Sequence, residues 1–196
     1  MAFSYRNYKE LASREVEDKD YQIRMNLKDE HILVMAPHGG KIEPGTTEIA
    51  EAIAGMDYSF YSFEGLKADG NSALHIESHL FDEPRALKLV DKAEIVLTVH
   101  GQVDRKDEFV MVGGFNTNLC SVIKRELEAA GFEIRPPTRR LSGIDPMNIC
   151  NRGKLKSGVQ LEMSRKVRDS LRTDKNQLQI FADAIRRAIQ IYLFSK

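Results

Sequence analysis

The 196-residue sequence predicts an α/β fold, an open twisted sheet that is mixed or mainly parallel and is sandwiched by helices. Two observations support this prediction. Short apolar runs of strand length alternate along the chain with amphipathic segments of helix length. No internal repeat, low-complexity tract or linker rich in proline, glycine and serine interrupts the alternation, so we expect one domain over residues 1–196.

The first half of the chain supplies a polar edge segment and then alternating elements. Residues 1–30 are polar and predict one or two helices at the edge of the domain. The elements that follow are expected as a strand at 32–36, a helix at 46–55, a strand at 58–65, a weaker strand at 74–78 and a helix at 83–93. The first strand ends at Pro37 and two glycines, which indicate a loop. Thr46 or Thr47 is expected to cap the first helix, and Gly55 to end it.

The second half continues the alternation. Its expected elements are strands at 94–101 and 108–114, a helix at 118–131, a short strand at 132–135, an irregular stretch at 136–158, a strand at 158–164 and a closing amphipathic helix at 175–196. In open α/β sheets, ligands bind at the carboxyl ends of the strands. Two of the predicted strands end in a histidine, and a third carries a glutamate near its end. We therefore expect the functional site at that edge of the sheet.

The composition makes several classes of protein unfavourable. Basic and acidic residues number 29 each, so the net charge does not favour nucleic acid or an anionic membrane as a partner. The N-terminus lacks the apolar run of a signal peptide, and no stretch approaches the roughly 20 apolar residues that span a bilayer. We expect a protein that is cytoplasmic as synthesised. Cys120 and Cys150 form no C-x-x-C pair and are expected as buried free thiols.

The strand ends carry a candidate metal site. His38 and His100 each follow a predicted strand directly and precede a glycine, and Glu43 lies five residues after His38. Two imidazoles and one carboxylate are typical ligands of catalytic zinc and leave one position open for water, whereas a structural site has four protein ligands, usually including thiolates. Taken singly, such histidines are more often surface residues and such glycines serve ordinary turns. The combination predicts one Zn²⁺ per chain.

Glu162 is the candidate general base. It lies between apolar residues in G-V-Q-L-E-M-S, so its carboxylate must be paired, hydrogen-bonded or neutral. One interpretation is a salt bridge to Arg165 or Arg168. The other is a catalytic group with a pKa raised by desolvation, which takes a proton from the attacking water and passes it to the leaving amine.

A cluster of arginines surrounds the irregular stretch and the Glu162 strand in the sequence, namely Arg139, Arg140, Arg152, Arg165 and Arg168. Arginine grips carboxylates with two hydrogen bonds, although a solvated charged face is the ordinary interpretation of such a run. The preferred substrate-binding residues are Asn151 and Arg152, because loops concentrate function, and Arg165 is a further candidate. His75 and His79, four residues apart, do not match the H-E-x-x-H zinc motif and are expected to line a substrate groove or the surface.

Beyond these residues, a set of longer motifs resembles one family. The strings MAPHGGKIEPGTTEIAEAIAG, FYSFEG, TVHG, NICNRG and GVQLEMSRKVR are similar to those of the poly-γ-glutamate hydrolases of bacteriophages and prophages, some of which are also called phage-related replication proteins. The resemblance runs from about Tyr21 to the last helix. It implies a carboxypeptidase-like zinc fold, with the metal ligands at His38, Glu43 and His100 and the catalytic glutamate at Glu162.

The resemblance also implies a substrate, the acidic polymer poly-γ-glutamate, and release of the protein when the phage lyses its host. Two other functions remain open on the residues alone. The first is a zinc amidase or deacylase that acts on a cell-wall peptide or an N-acyl amino acid with the same metal site. The second, disfavoured by the balanced charge and the lack of a nucleic-acid-binding motif, is a non-catalytic protein that binds nucleic acid. The sequence leaves the oligomeric state open, with a monomer as one possibility.

Overall fold

One seven-stranded sheet organises the computed structural model, which describes residues 5–195. Its strands are β1 (Tyr21–Asn26), β2 (Asp29–Gly40), β3 (Tyr58–Gly65), β4 (Ile95–Gly101), β5 (Val110–Gly113), β6 (Ile134–Arg135) and β7 (Val159–Met163). Their order across the sheet is β1-β3-β2-β4-β7-β5-β6. The central strands β3, β2, β4 and β7 run parallel, while β1 and β5 pair antiparallel with β3 and β7. The predicted mixed sheet is confirmed.

Helices cover both faces of this sheet. The α-helices among residues 5–195 are α1 (Tyr8–Ala12), α2 (Thr46–Ala54), α3 (Pro84–Val90), α4 (Thr117–Ala129), α5 (Arg165–Thr173) and α6 (Lys175–Phe194), with 3₁₀ turns at Asn71–Leu74, Arg139–Leu141 and Ile149–Arg152. Helices α2, α4, α5 and α6 bury their apolar residues in one core, on one face. Helices α1 and α3 contribute to a second core on the other face. Within residues 5–195, no helix is long and apolar enough to cross a membrane.

The strand sequences explain the two cores. In β2, Ile32 and Val34 belong to the first core, and Leu33 and Met35 belong to the second. Successive side chains of a strand point to opposite faces, so a strand buried on both faces is a continuous apolar run. Burial of such a side chain stabilises the fold by about 1.5–3 kcal/mol.

The same alternation determines where the polar residues of β4 and β7 lie. Leu97 and Val99 of β4, and Leu161 and Met163 of β7, belong to the first core. The residues between and beyond them therefore point to the opposite face, that of α1 and α3. At the carboxyl ends of the strands this face carries the polar side chains described below.

Four local predictions were wrong or incomplete. The polar N-terminal segment, of which residues 1–4 lie outside the described part, forms a short helix and the edge strand β1. Residues 74–78 end a 3₁₀ turn and continue as a loop. The N-cap of α2 is Gly45, because the hydroxyls of Thr46 and Thr47 bind neighbouring loop and strand groups instead. Helix α5 was not predicted.

The cysteine prediction is confirmed. Cys120 and Cys150 are both buried, and neither forms a disulfide.

Candidate active site

The three predicted metal ligands converge at the carboxyl ends of β2 and β4. His38 Nδ1 lies 3.1 Å from His100 Nδ1 and 3.2 Å from Glu43 Oε1, and His100 Nδ1 lies 3.8 Å from Glu43 Oε2. Bonds of about 2.0–2.1 Å from a tetrahedral zinc ion separate its ligand atoms by roughly 3.3 Å. The donor types and their spacing therefore fit such an ion.

One loop, at residues 76–78, orients the imidazole rings of His38 and His100. Nε2 of His38 lies 2.7 Å from the carbonyl oxygen of Ile76, and Nε2 of His100 lies 3.5 Å from Ser78 Oγ. A carbonyl oxygen only accepts, so Nε2 of His38 donates, and in the neutral ring the Nδ1 lone pair is left free for a cation. Partners of this kind fix the ring orientation of metal-binding histidines.

Glu43 is held by backbone contacts on both sides of the site. Its Oε2 accepts a hydrogen bond from the Gly101 N–H at 2.8 Å, and its own N–H donates to the His38 carbonyl at 2.9 Å. The turn between His38 and Glu43 requires Gly40, whose φ is +60° and whose added Cβ would lie 2.7 Å from the Gly65 carbonyl oxygen. The predicted tight loop thus brings the acid to the histidines.

The protonation of this cluster shows that it attracts positive charge. Burial opposes the charged form of His38, but the Glu43 charge and hydrogen bond outweigh it and raise the pKa of His38. Burial also opposes the Glu43 carboxylate, but His38 above all lowers its pKa below the usual range. Burial and the His38 charge lower the pKa of His100 to about 3. These directions favour a Glu43 carboxylate and a neutral His100 ring, the protonation states in which both groups bind a metal ion.

His75 joins the cluster from the loop after the first 3₁₀ turn. Its ring centroid lies 3.8 Å from that of His38, and its Nε2 lies 3.6 Å from Glu43 Oε1. Donor atoms of His38, Glu43 and His75 all lie within 4.8 Å of one another, so His75 competes with His100 for a place at an ion. We favour His100, since it is buried on a strand while the His75 side chain is 30% exposed. Sequence spacing did not indicate that His75 reaches the metal cluster.

Glu162 lies beside this cluster on β7. It is the register partner of His100 on β4 and is buried. Gln160 Nε2 donates to its Oε1 at 2.9 Å, and Asn148 Nδ2 donates to Gln160 Oε1 at 2.8 Å. Burial first, and then the Glu43 charge, raise the pKa of Glu162 to about 9 against the opposing charges of nearby arginines. The alternation in Q-L-E could have indicated Gln160, which shares a face with Glu162.

The three predicted substrate-binding residues lie elsewhere. Asn151 donates to the carbonyls of Gly143 and Asp145 and accepts from the N–H groups of Phe115 and Gly158, so its amide has no bond left for a ligand. It is buried and holds the irregular stretch in place.

Both predicted arginines are also engaged elsewhere. Arg152 donates to the Phe81 carbonyl at 2.9 Å. Arg165 pairs with Asp169 on α5 at 2.7 Å. The structure therefore brings neither arginine to the site, because Arg152 reaches the Phe81 carbonyl and Arg165 pairs within its own helix.

A cavity of about 840 Å³ opens over the cluster and Glu162. Its rim is formed by the irregular stretch, including Arg139 and Arg140, and by the loop that carries His75. The Arg140 side chain is 86% exposed, and its nearest anion is Glu77 at 3.9 Å. The cavity therefore combines a buried floor of histidines and carboxyls with a rim that carries two arginines and the acids Glu77 and Asp145.

Comparison with known proteins places the chain among poly-γ-glutamate hydrolases and their relatives. It is 40% identical to the UPF0714 protein YndL of Bacillus subtilis (strain 168) over 169 residues, which are 85% of this chain and 66% of that protein. It is 38% identical to the SPbeta prophage-derived UPF0714 protein YoqZ of the same strain over 85% of this chain and 61% of that protein. The chain thus spans less than two thirds of the length of these curated relatives.

Among solved structures, a bacteriophage poly-γ-glutamate hydrolase superposes with a TM-score of 0.94 at 31% identity, over 99% of this chain and 100% of that one. A zinc-free, apo form of YndL superposes with a TM-score of 0.89 at 35% identity, over 95% and 96% of the two chains. A family model described as poly-gamma-glutamate hydrolase matches residues 5–185. The chain therefore belongs to the poly-γ-glutamate hydrolase family, the group of amide hydrolases that its motifs predict.

Proposed function

We propose that the chain is a zinc-dependent hydrolase that cleaves the γ-glutamyl amide bonds of poly-γ-glutamate. The observation that carries the proposal is the convergence of His38, Glu43 and His100, with donor atoms 3.1–3.8 Å apart, beside the buried carboxyl of Glu162. The similarity to a bacteriophage poly-γ-glutamate hydrolase supports the substrate, and the similarity to YndL, which has a zinc-free apo form, supports the metal.

The three ligands would hold the metal, and His75 would lie next to it. Zinc, when bound, supplies a Lewis acid that acidifies water and polarises a carbonyl. The chain holds these ligands rigidly, because His38 and His100 lie on strands of the sheet and the loop at 76–78 orients both rings. Ligands fixed in this way lose little freedom when the metal binds.

Glu162 takes the proton from the attacking water and returns it to the leaving amine. Its carboxyl is oriented by Gln160 and faces the cavity beside His100. Burial is the first cause of the raised pKa of Glu162 and the Glu43 charge is the second, so a cation held by Glu43 would offset the second cause and lower that pKa. A group whose pKa is near the working pH is an effective proton shuttle.

Arg139 and Arg140 are the residues that we propose to recognise the polymer. Each unit of poly-γ-glutamate carries a free carboxylate on the carbon next to the amide nitrogen. The two adjacent arginines lie at the rim of the cavity, and Arg140 is weakly paired, so they are free to form bidentate bonds to such carboxylates. They take the role that the sequence had suggested for Arg152 and Arg165.

The decisive experiment measures zinc by elemental analysis and compares two polymers of equal charge. Purified protein is expected to contain one zinc per chain, and to release short oligomers from poly-γ-glutamate but none from poly-α-glutamate. Poly-α-glutamate carries the same charge on a different amide linkage, so it distinguishes recognition of the γ-linkage from attraction to any polyanion. Cleavage of N-acyl amino acids or cell-wall peptides without cleavage of poly-γ-glutamate would instead identify the amidase alternative.

A further inference from the structure

Arg168 on α5 is a buried cation that the proposed chemistry does not use directly. It is 3% exposed, and its three guanidinium nitrogens donate to three backbone carbonyls. Nε donates to Met163 at 3.3 Å, Nη2 donates to Gln102 at 2.9 Å, and Nη1 donates to Pro44. One side chain thus bridges the ends of three separate segments.

These three carbonyls lie next to the proposed active-site residues. Met163 follows Glu162, Pro44 follows Glu43, and Gln102 lies two residues after His100. The segments are far apart in sequence, and β2 and β7 are not neighbours in the sheet. The planar guanidinium is the only natural side chain that presents five donors in a fixed fork. The geometry suits a spacer between strand ends more than a solvated surface charge.

Gly101 makes this arrangement possible. A Cβ at this position would lie 2.2 Å from Cζ of Arg168, closer than any contact that atoms tolerate. The glycine after His100 therefore does more than form a turn, since it leaves space for the guanidinium against β4. Its N–H also donates to Glu43. Gly101 and Arg168 together connect His100 with Glu43.

The charge of Arg168 is unusual for so deep a position. A buried cation is costly unless its surroundings compensate it. Burial lowers the pKa of Arg168, and the charges of Glu43 and Asp169 oppose this effect. The three backbone carbonyls also turn the negative ends of their dipoles toward the guanidinium.

We infer that Arg168 is a positioning residue, which sets the distances between Glu43, His100 and Glu162. The inference rests on the proposed function. It states that the metal affinity and the turnover depend on this one side chain, although Arg168 touches neither the metal nor the substrate. Loss of a group that orients metal ligands typically weakens metal binding about 10- to 100-fold.

The test compares Arg168→Lys with the matched control Arg186→Lys. Arg186 on α6 is partly buried and lies away from the cavity. Like Arg168, it donates to backbone carbonyls, here those of Ile53 and Ala54, and it also pairs with Asp57. Lysine keeps the charge but loses the fork. The readouts are near-UV circular dichroism, zinc affinity by titration of the metal-free protein against a chelator, and kcat and KM on poly-γ-glutamate.

For Arg168→Lys we expect a native circular dichroism spectrum, zinc affinity about 10- to 100-fold weaker, and kcat at saturating zinc at least about 10-fold lower with KM within about 3-fold. Arg186→Lys is expected to change the melting temperature only. Equal zinc affinity and kcat in the two variants would show that Arg168 is a structural brace, and the inference would be overturned.

A second variant keeps the test valid if Arg168→Lys does not fold. Gly101→Ala retains Arg168 but pushes its guanidinium away from β4, and we expect the same paired loss of zinc affinity and kcat. Normal values in Gly101→Ala would contradict the inference. Failure of the wild-type protein to bind zinc or to cleave the polymer would instead overturn the proposed function, so the two failures are distinguishable.

Discussion

The proposed metal ligands and the arginines at the rim of the same cavity differ in how firmly the structure holds them. His38 and His100 are buried at the ends of strands, and each ring is fixed on both sides. Arg139 and Arg140 lie on a short 3₁₀ turn, and Arg140 is largely exposed with one distant partner. The difference indicates that the proposed metal ligands are preorganised, while the arginines proposed to bind the polymer remain adaptable. Changes in the cluster should therefore affect turnover, and changes at the rim should affect binding.

The largest effect is expected from removal of a cluster ligand. His100→Ala should lose zinc and activity together, with the rate falling to background, because two ligands hold the ion far more weakly than three. Elemental analysis after dialysis and a viscosity assay on poly-γ-glutamate provide the measurements. His31→Ala is the control, since this exposed histidine pairs only with Glu94 at the other end of β2. One zinc per chain in His100→Ala would show that His75 is the true third ligand.

Glu162→Gln should separate proton transfer from metal binding. We expect zinc content to be unchanged and kcat to fall about 10²- to 10⁴-fold, the usual contribution of a general acid–base group. Glutamine keeps the shape and can still be a neighbour of Gln160, so the change removes the proton shuttle with little repacking. A variant with a near-normal kcat would remove Glu162 from the mechanism and leave the metal assignment untouched.

Changes to the arginines at the cavity rim should raise KM. Replacing Arg139 and Arg140 together by glutamine is expected to raise KM for poly-γ-glutamate about 10-fold, the size of one or two charge-assisted hydrogen bonds, with kcat within about 2-fold. The salt dependence of KM should also weaken, because these charges are exposed and screened. Arg135→Gln serves as the control, since this half-buried arginine on β6 pairs with Asp107 and Glu133 and does not line the cavity. A fall in kcat at unchanged KM would place the rim in the chemistry instead.

A further prediction concerns stability without metal. The folded pKa of Glu162 is raised to about 9 from 4.5, so the folded state binds the extra proton between these values. Its favourable contribution is complete below pH 4.5 and is lost as the pH rises toward 9, by up to about 1.4 kcal/mol per pH unit. With a chelator present, urea unfolding at pH 5.5 and pH 8 should show a steeper loss for the wild type than for Glu162→Gln. Parallel pH profiles would indicate that Glu162 is ionised in the metal-free protein.

The sequence predicted the two halves of the cavity unequally for a physical reason. His38, His100 and Glu162 stand at the ends of apolar runs, and a parallel sheet brings such ends to one edge, so local patterns were sufficient. The stretch at 136–158 has no periodicity, and its path depends on Asn151, whose four hydrogen bonds join distant backbone groups. No local pattern shows that Asn151 is a brace and that Arg140 reaches the cavity.

The same limit explains the errors at other positions. His75 lies in a loop whose position is set by contacts with His38 and Glu43, so its spacing from His79 carried no information. Helix α5 follows β7 almost directly and is strongly polar on one side, which masks its apolar stripe of Val167 and Leu171. Edge strand β1 exists because it pairs with β3, and such pairing is invisible in a polar segment of the sequence.

The parallel order β2-β4-β7 also determines when the cluster can arise during folding. His38 and His100 are separated by 62 residues, and His100 and Glu162 by a further 62, so two long loops must close before these side chains meet. Closing such loops costs entropy before any contact repays it, and parallel pairing of distant strands is intrinsically slow. Under the proposed function, zinc would meet its complete set of ligands only in a nearly folded chain, so we expect it to slow unfolding and not to nucleate folding.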